Sequence, residues 1–565
     1  MSSPLSISRE IANSTFNERQ HPAAHDFKTT INLTDLDLFT KGQPLKEFKE
    51  MRDQAPVFWH PPMVGDIEPG FWSLTNHADI LKVSSDPSTF SSQMGTGTMM
   101  TLGREDRRHP KLWRSAIDHM LNLDGALHIN LRREHMPFFK PDYVSNLRVK
   151  VSAKITALLD SIEPKGECNF VQDFAQQLPI YTLSEILGIP EADRQKLVTW
   201  MEFLELAQYI QVDQMKKELD AEHTKEPVNT EMIDMFNNMI DEMFEYGRDI
   251  LNSKRKNPQD DLLSAIANAE IDGQQLSQEF LDGSWLLIIF AGNDTTRNTL
   301  SGAIKLLTEN PDQRQKLIDN PDLMPNFVQE CIRMISPVMH MRRTTTCETQ
   351  VGDQLMGPGE KIVMWYGAAN RDPSVFTNPD KFDIERENAE KHLAFGIGRH
   401  TCVGKPVALM QLAESYTQIL QRFPDIHMNG EWKVAPNNFV HAIQEQAGNR
   451  TKHAVLLGGF DSMLVAATLK TLGHEVHTYT FSFGDTNFEQ KNVTEFVTSL
   501  GITHHPVTIT PQLIEQNLRE FGSHFFQVGA QSHYQIHTLI ASQHIARDGF
   551  DAIFNGDGCD AIRNL

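Results

Sequence analysis

Apolar residues between positions 31 and 450 recur mostly with the spacing of α-helices. They return every three or four residues, so they fall on one face of a helix. Long segments of this kind cover residues 143–162, 232–256, 278–307 and 325–335. Stop signals such as Gly188-Ile189-Pro190 and Asn310-Pro311 separate the helices, because proline and a glycine at the helix end do not continue them. This part of the chain is therefore predicted to be mainly α-helical.

A few short segments within this helical part have the character of strands. Val57-Phe58-Trp59 and Phe71-Trp72-Ser73-Leu74 are rich in β-forming residues and predict a β-ribbon. Gly357-Pro358-Gly359 predicts a turn between two further short strands. Small β-sheets are therefore expected beside the helices.

The pattern changes near residue 450. Short apolar segments at 454–457, 477–483, 506–510 and 551–555 alternate with helix-like segments at 461–472 and 488–500. Such alternation predicts a parallel sheet. The sequence thus predicts a flexible leader over residues 1–30, a mainly helical domain over 31–450 and an α/β domain over 451–565.

Composition narrows the possible partners and compartments. The 565 residues carry a net charge of −22, which argues against nucleic acid as a partner. The five cysteines show no disulfide or zinc spacing, so a cytoplasmic, reducing compartment is expected. The longest apolar run, residues 285–291, is too short to span a bilayer, and no membrane anchor is expected.

The loop Phe395-Gly396-Ile397-Gly398-Arg399-His400-Thr401-Cys402-Val403-Gly404 carries one cysteine among glycines and precedes a helix-like run. Glycines let the backbone pass close to a flat macrocycle, and their N–H groups can point at the sulfur. A helix that starts after the cysteine adds a positive dipole end beside an anionic thiolate. These features suit a thiolate ligand of haem iron; the alternative is a buried free cysteine in a turn.

The pattern F-G-x-G-x-H-x-C-x-G resembles the haem-binding signature of the cytochrome P450 family. The resemblance covers residues 33–450 and implies the mainly α fold of that family, of the soluble bacterial type. It implies heme b as cofactor, with Cys402 as the ligand of its iron. Phe395, Gly396 and Gly404 match the residues of the loop that binds the cofactor.

A second motif, Ala291-Gly292-Asn293-Asp294-Thr295-Thr296, lies inside a long apolar helix. Glycine and paired threonines are unusual there, and the Thr295 hydroxyl can bond back to the Ala291 carbonyl and bend the helix. A bend opens a groove that can hold dioxygen. The resemblance makes Thr295 and Asp294 the catalytic residues of proton delivery. The alternative is a close helix crossing made of small residues.

A third motif places Glu330 and Arg333 on one face of a mostly apolar helix. Such surroundings predict that the pair is buried, and a buried pair needs further partners. The resemblance adds Arg386 as the third member and assigns a structural role, holding the cysteine loop in place. The alternative is an ordinary surface salt bridge.

A fourth motif, His128-Ile129-Asn130-Leu131-Arg132, puts His128 and Arg132 on one helix face. Both side chains can bind the anionic haem propionates. Arg343 and His400 match the other propionate contacts of the family, and Arg342 is an alternative to Arg343. Each of these could instead be a solvated surface cation.

Other segments, such as 339–344 and 365–372, look like bacterial members of the family that act on terpenoid alcohols and sterol side chains. Flexible methionines and other apolar residues suit an irregular apolar substrate, although they suit a core equally well. The candidate lining residues are Met94, Met99, Met100, Leu102, Ile288, Val338 and Met339.

The loop at 457–462, in the C-terminal domain, is a glycine-rich turn that can cradle phosphate. With Phe554-Asn555-Gly556-Asp557-Gly558-Cys559-Asp560 it resembles the ATP pyrophosphatase domain of asparagine synthetases, which implies ATP and magnesium. Leu457 stands where that family has a serine, and the chain stops shortly after Asp560. The segment is therefore interpreted as a partial domain, and a catalytically silent one is favoured.

The leading hypothesis is a haem-thiolate monooxygenase acting on an apolar terpenoid- or steroid-like molecule. Electrons would come from a separate ferredoxin or flavodoxin-type partner, because no flavin or iron–sulfur motif is visible. Seven basic residues either form a docking patch for that partner or are scattered, solvated surface cations: Arg104, Arg107, Arg108, Lys111, Arg114, Arg399 and Lys405. The alternatives are an ATP-dependent amide-forming enzyme with an accessory haem domain, and a haem protein that only binds a ligand.

Overall fold

The structure, a computed structural model, divides the chain into two compact units, Met1–Gln446 and Ala447–Leu565. The residues that it describes are 31–60, 70–93, 115, 119–201, 231–271, 273–428, 432–435, 437–440, 442–446, 453–456, 466, 470, 476–482, 496–498, 500–508 and 552–554. The predicted leader, the basic cluster at 104–114 and the phosphate loop lie outside them. The methionines at 94, 99 and 100 and Leu102 do so too.

The first unit is mainly helical, as predicted. Its principal helices are Leu45–Gln54 (α1), His77–Ser85 (α2), Gly125–His135 (α3), Pro141–Ile162 (α4), Gln177–Leu187 (α5), Glu231–Lys256 (α6), Leu262–Ala267 (α7), Gln278–Glu309 (α8), Pro311–Asp319 (α9), Met324–Ile335 (α10), Tyr366–Ala369 (α11) and Lys405–Arg422 (α12). The four long segments predicted from apolar spacing correspond to α4, α6, α8 and α10.

Small sheets accompany these helices. The strands of the first unit are Val57–His60 (β1), Phe71–Leu74 (β2), Phe90–Ser91 (β3), Glu270–Ile271 (β4), Gln274–Gln275 (β5), His340–Thr345 (β6), Thr349–Val351 (β7), Gln354–Met356 (β8), Lys361–Trp365 (β9), Trp432–Ala435 (β10) and Ala442–Gln446 (β11). The largest sheet has the order β1-β2-β9-β6-β3, and the predicted ribbon pairs Val57 with Leu74. Two-stranded pairs form from β4 and β5, β7 and β8, and β10 and β11.

Helix α8 runs through the main apolar core and positions much of the candidate site. The Ser277 side chain caps its first turn by accepting from the Phe280 N–H. Gly292 lets α5 approach closely, since a Cβ there would come within 2.7 Å of Leu183 Cδ1. Helix α12 begins directly after the cysteine loop, with Pro406 in its first turn, where the missing N–H costs no helical hydrogen bond.

The second unit contains the predicted parallel sheet. Its strands are His453–Leu456 (β12), Val476–Ser482 (β13), Thr503–Thr508 (β14) and Ala552–Phe554 (β15), in the order β14-β13-β12-β15. Every neighbouring pair is parallel, with His453 opposite both Val476 and Ala552. The predicted combination of a mainly α fold with a C-terminal α/β fold is confirmed.

Across the described parts of both units, every helix is too short or too polar to serve as a membrane span.

Candidate active site

A cavity of about 270 Å³ lies between helix α8 and the loop that leads into α12. Its walls are largely apolar, and polar side chains from the loop and from helix α3 also line it. The predicted site residues that line it are His128, Arg132, Thr295, Arg343, Phe395, Gly396, His400, Cys402 and Gly404. The fold thus brings together residues that are up to 276 positions apart in the chain, from His128 to Gly404.

The cysteine loop closes through its backbone. The Cys402 N–H donates to the Phe395 carbonyl over 2.8 Å, and Gly398–His400 forms a short 3₁₀ turn between them. Gly396 and Gly398 have φ angles of +68° and +73°, a region in which other residues are strained. The glycines are therefore required by the shape of the loop.

Cys402 lines the cavity and is accessible from it. Burial raises its pKa. Two influences partly oppose this rise and lower the pKa: the backbone N–H groups of Gly404 and Lys405, and the positive charges of Arg132 and Lys405. The loop therefore provides the N–H donors that stabilise a thiolate once a cation is beside it.

The opposite wall is formed by the middle of α8, including Ala291, Gly292 and Thr295. The Thr295 hydroxyl donates to the Ala291 carbonyl over 3.4 Å, the hydrogen bond that the sequence predicts. Asp294 is not among the described residues that line the cavity. Its buried carboxylate accepts from Asn293 Nδ2 over 3.0 Å and lies 3.7 Å from an Arg297 guanidinium nitrogen.

A cationic cluster, formed by His128, Arg132, Arg343 and His400, lies at one end of the cavity. The two imidazole rings stack with centroids 4.1 Å apart. Burial, followed by the charges of His400 and Arg132, lowers the pKa of His128 to about 3. Arg132 donates to the Thr401 carbonyl over 2.6 Å, and Arg343 donates to the Arg342 carbonyl over 2.7 Å. Arg342 lines the cavity as well.

Asp124 is the carboxylate beside this cluster, and the sequence analysis missed it. It lies 3.5 Å from His400 Nε2 and accepts hydrogen bonds from the Ser91 hydroxyl and the Ser92 N–H. Burial opposes ionisation, but these contacts prevail and lower its pKa. The one available signal was its position directly before helix α3, where an aspartate often caps a helix.

The residues around the cavity fit a haem. The thiol with converging N–H donors suits an iron ligand. Arg132 and Arg343 bring positive charge to the wall of the cavity, so an added anionic group is favoured beside them. The absent side chains of Gly396 and Gly404 leave room at the loop, where a Cβ on Gly404 would lie 3.7 Å from Cys402 Sγ.

The predicted structural trio is brought together away from the cavity. Glu330 and Arg333 are fully buried and form two hydrogen bonds of 2.7 and 2.8 Å. Arg386 donates to both Glu330 oxygens over 3.1 and 3.2 Å. The remaining guanidinium N–H groups bind backbone carbonyls, including those of Asn370 and Thr377. The alternative of a surface salt bridge is excluded by this burial.

Among the predicted substrate-lining residues, Ile288 and Val338 line the cavity. The prediction for Met339 was wrong. Its backbone is held between Phe439 and Tyr366, and its side chain packs in a separate apolar cluster. Met341 lines the cavity instead, which shows that the chain near Val338 does not follow simple strand alternation.

The family model for Cytochrome P450 matches residues 118–438, more than half of the chain. A second family model, Asparagine synthase, matches residues 437–563.

Individual relatives agree with the first match. Linalool 8-monooxygenase of Pseudomonas putida is 31% identical over 414 residues, covering 73% of this chain and 97% of the relative. Steroid C26-monooxygenase of Rhodococcus jostii (strain RHA1) is 28% identical, covering 74% and 83%. A Mycobacterium marinum cytochrome P450 solved in complex with pseudoionone superposes with a TM-score of 0.64 at 31% identity, covering 75% and 99%.

Proposed function

The chain belongs to the cytochrome P450 family, a family of haem-iron monooxygenases, and on that premise we propose which substrate it oxidises and how. The proposed substrate is an apolar terpenoid- or steroid-like molecule, hydroxylated at a C–H bond. When bound, a haem would supply the activation of O₂: with two electrons and two protons, one oxygen atom would enter the substrate and the other would leave as water. The observation that carries the proposal is the Cys402 thiol, which faces helix α8 across an apolar cavity.

The cysteine loop and the cationic cluster would hold the cofactor. Cys402 would ligate the iron, and the N–H groups of Gly404 and Lys405 would moderate the electron donation of its sulfur. Arg132 and Arg343, with His128 and His400, would bind the two propionates. Each charge-assisted hydrogen bond to a propionate would contribute about 1.5–3 kcal/mol.

The wall of the cavity and the names of the relatives support the proposed substrate class. Leu287, Ile288, Val338 and Met341 present apolar surface, which binds hydrocarbon and excludes water. The relatives' names specify linalool and steroids. An apolar substrate with few polar groups is the chemistry common to both.

Asp294 and Thr295 would deliver the protons that the reaction needs. Thr295 lines the cavity, and its hydroxyl can accept a proton from the protein and donate a proton into the cavity. Asp294 is held behind the wall by Asn293 and the nearby Arg297. Delivery from Asp294 would therefore require its carboxylate to leave these contacts.

The electrons would come from a separate ferredoxin or flavodoxin-type protein. Arg399 is an exposed residue of the cysteine loop, and the Lys405 ammonium lies 5.3 Å from the centre of the Phe395 ring. Positive charge there would attract an acidic partner to an otherwise acidic protein. The predicted cytoplasmic location agrees with such a partner and stays a prediction.

The second unit is proposed to be catalytically silent. Its similarity to asparagine synthase suggests ATP and magnesium as ligands, and Leu457 replaces the serine expected in the phosphate loop. We expect weak binding of ATP or none, and no amide synthesis.

The test of the proposal is the spectrum of the reduced, carbon monoxide-bound protein. Wild type should give the long-wavelength band of a thiolate ligand, and Cys402→His should lose it while Cys347→Ser, at an exposed cysteine, should keep it. A normal band in Cys402→His would refute the assignment. Terpenoids, steroids and fatty acids would then be screened for a spin-state shift; a response to fatty acids alone would refute the substrate class.

The proton roles are tested with Thr295→Ala and Asp294→Asn. Haem content and ligand binding should be retained, while more of the electrons consumed should appear as hydrogen peroxide. Unchanged coupling in both variants would contradict the roles.

A further inference from the structure

Asn298 is buried in helix α8, one turn after Asp294, and its side chain bonds in two directions. Its Nδ2 donates to the Asp294 carbonyl over 2.7 Å. Its Oδ1 accepts the backbone N–H of Ile443, in strand β11, over 2.6 Å. Neither Asn298 nor Ile443 has measurable exposure, so water cannot replace these hydrogen bonds.

The helix needs such an anchor at this point. The Thr295 hydroxyl bonds back to the Ala291 carbonyl, and the Thr299 hydroxyl bonds back to the Thr295 carbonyl over 2.8 Å. Side-chain donors of this kind compete with the helical N–H groups and loosen a helix locally. Asn298 adds a third, and it alone of the three also bonds through its side chain to β11, outside the helix.

Strand β11 is a firm point of attachment. Ile443 pairs with Val434 of β10, and its side chain is fully buried. The backbone N–H that Asn298 receives therefore belongs to a hairpin with its own core contacts. A hydrogen bond to it fixes one turn of α8 relative to a second element.

We propose that Asn298 is a positioning residue, which holds Thr295 at the cavity wall and Asp294 behind it by tying their turn of α8 to strand β11. The inference rests on the proposed proton-delivery roles of those two residues. Asn298 does not line the cavity, so it acts through its neighbours. Strand β11 ends at Gln446, directly before the second unit begins at Ala447.

Thr308, on the same helix, provides a matched control. Its hydroxyl donates to the Ile304 carbonyl and accepts the Met428 N–H, each over 2.8 Å. It therefore makes the same two kinds of bond as Asn298, ten residues away and outside the cavity wall. Loss of the Thr308 bonds should loosen α8 without moving Asp294.

The decisive variant is Asn298→Ser in the full chain. Serine fits the space and can donate to the carbonyl four residues earlier, but it is too short to reach the Ile443 N–H. Amide hydrogen exchange at Asp294, Thr295 and Ile443 should accelerate about fivefold, the effect of losing one buried neutral hydrogen bond. Peroxide per electron, with a surrogate ferredoxin and no added substrate, should rise. In Thr308→Val, amide exchange at Asp294, Thr295 and Ile443 should stay at its wild-type rate. Peroxide per electron should also stay at the wild-type value.

Unchanged exchange and peroxide release in Asn298→Ser, or an equal rise in Thr308→Val, would overturn the proposal. If Asn298→Ser does not fold, the wild type decides, because rapid exchange of the Ile443 amide there would show that the tether does not form. The carbon monoxide spectrum separates this result from failure of the proposed function. A thiolate band with unchanged coupling rejects the tether alone, whereas no band in wild type rejects the haem assignment itself.

Discussion

Two pairs of arginines in the first unit differ in where their charged side chains are directed. In the closed cluster, Arg333 and Arg386 share the carboxylate of Glu330, and backbone carbonyls accept their other N–H groups. In the open cluster, Arg132 and Arg343 face the cavity, and Asp124 is the carboxylate that the described residues bring nearby. The protein therefore satisfies the N–H groups of the first pair with its own carboxylate and carbonyls, whereas the second pair is directed at a cavity.

The difference separates a structural role from a binding role. A buried charge with all its partners in the protein fixes the fold, whereas a buried charge directed at a cavity binds something that carries the opposite charge. Burial, followed by the charges of His400 and Arg132, lowers the pKa of His128, which disfavours a further positive charge beside these arginines. The closed cluster thus holds the frame around the cysteine loop, and the open cluster is proposed to bind an anionic cofactor.

Breaking the closed cluster should have the largest effect. Arg333→Ala or Glu330→Gln leaves a buried charge without its partner, which costs about 3–5 kcal/mol of unfolding free energy. We expect low yields of folded protein and no haem incorporation, measured by chemical denaturation and by absorbance.

The matched control is Glu385→Gln, which breaks a surface pair with Lys316, where the side chains are 53% and 46% exposed. That change should leave the free energy of unfolding nearly unchanged, because solvent screens an exposed pair. Equal losses in Glu330→Gln and Glu385→Gln would show that burial does not distinguish the two pairs.

Removal of a cation from the open cluster should weaken haem binding without lowering the free energy of unfolding of the haem-free protein. Burial lowers the pKa of Arg343, so its charge is held there at a cost. Arg343→Leu should leave the unfolding free energy of the haem-free protein unchanged or higher. Haem affinity should fall by roughly 10- to 100-fold, the effect of losing a charge-assisted hydrogen bond worth about 1.5–3 kcal/mol.

Haem retention can be measured by transfer to a competing apoprotein. Lys150→Leu, on the exposed face of α4, serves as the control for removal of one positive charge. Loss of stability without loss of haem in Arg343→Leu would reverse the assignment of the open cluster.

Acid should destabilise the fold by protonating His392, which lies near Arg333 of the closed cluster. Burial, then the charges of Lys405 and Arg333, lowers the pKa of His392 to about 3. Its Nδ1 accepts the Ala394 N–H over 3.2 Å, so Nε2 carries the proton and donates to Gln329 Oε1. Protonation of Nδ1 would break the first of these bonds, next to the cysteine loop.

The sign follows from the two states. Between pH 6.5 and about 3 the unfolded chain binds a proton at His392 and the folded chain does not, so acid destabilises the fold. The contribution is at most about 1.4 kcal/mol per pH unit. His392→Gln should make the fall of unfolding free energy with acid shallower, and His427→Gln, at an exposed site, should not. Parallel curves for wild type and His392→Gln would contradict the assignment.

The sequence predicts the chemistry of both clusters better than their contacts. Glu330 and Arg333 are visible because three residues of helix place them on one face, whereas Arg386, 56 positions beyond Glu330, is identified only by resemblance. Asp124 was missed because its contact with His400 depends on tertiary folding. Asn298 was missed because its partner is a backbone N–H, which has no sequence signature.

Both clusters and the proposed cysteine ligand lie before Gln446, so removal of the second unit should have the smallest effect. A chain ending at Asn449 keeps strand β11 and its bond from Asn298 to Ile443. We expect it to fold, bind haem and oxidise substrate at a rate similar to that of the full chain.

Calorimetry of the full chain with ATP and magnesium should show weak binding or none. Tight ATP binding, or pyrophosphate release that Asp461→Ala abolishes, would instead give the second unit an activity of its own. Loss of the thiolate band on truncation would show that the first unit depends on the second for its fold. The two clusters could then not be interpreted from the first unit alone.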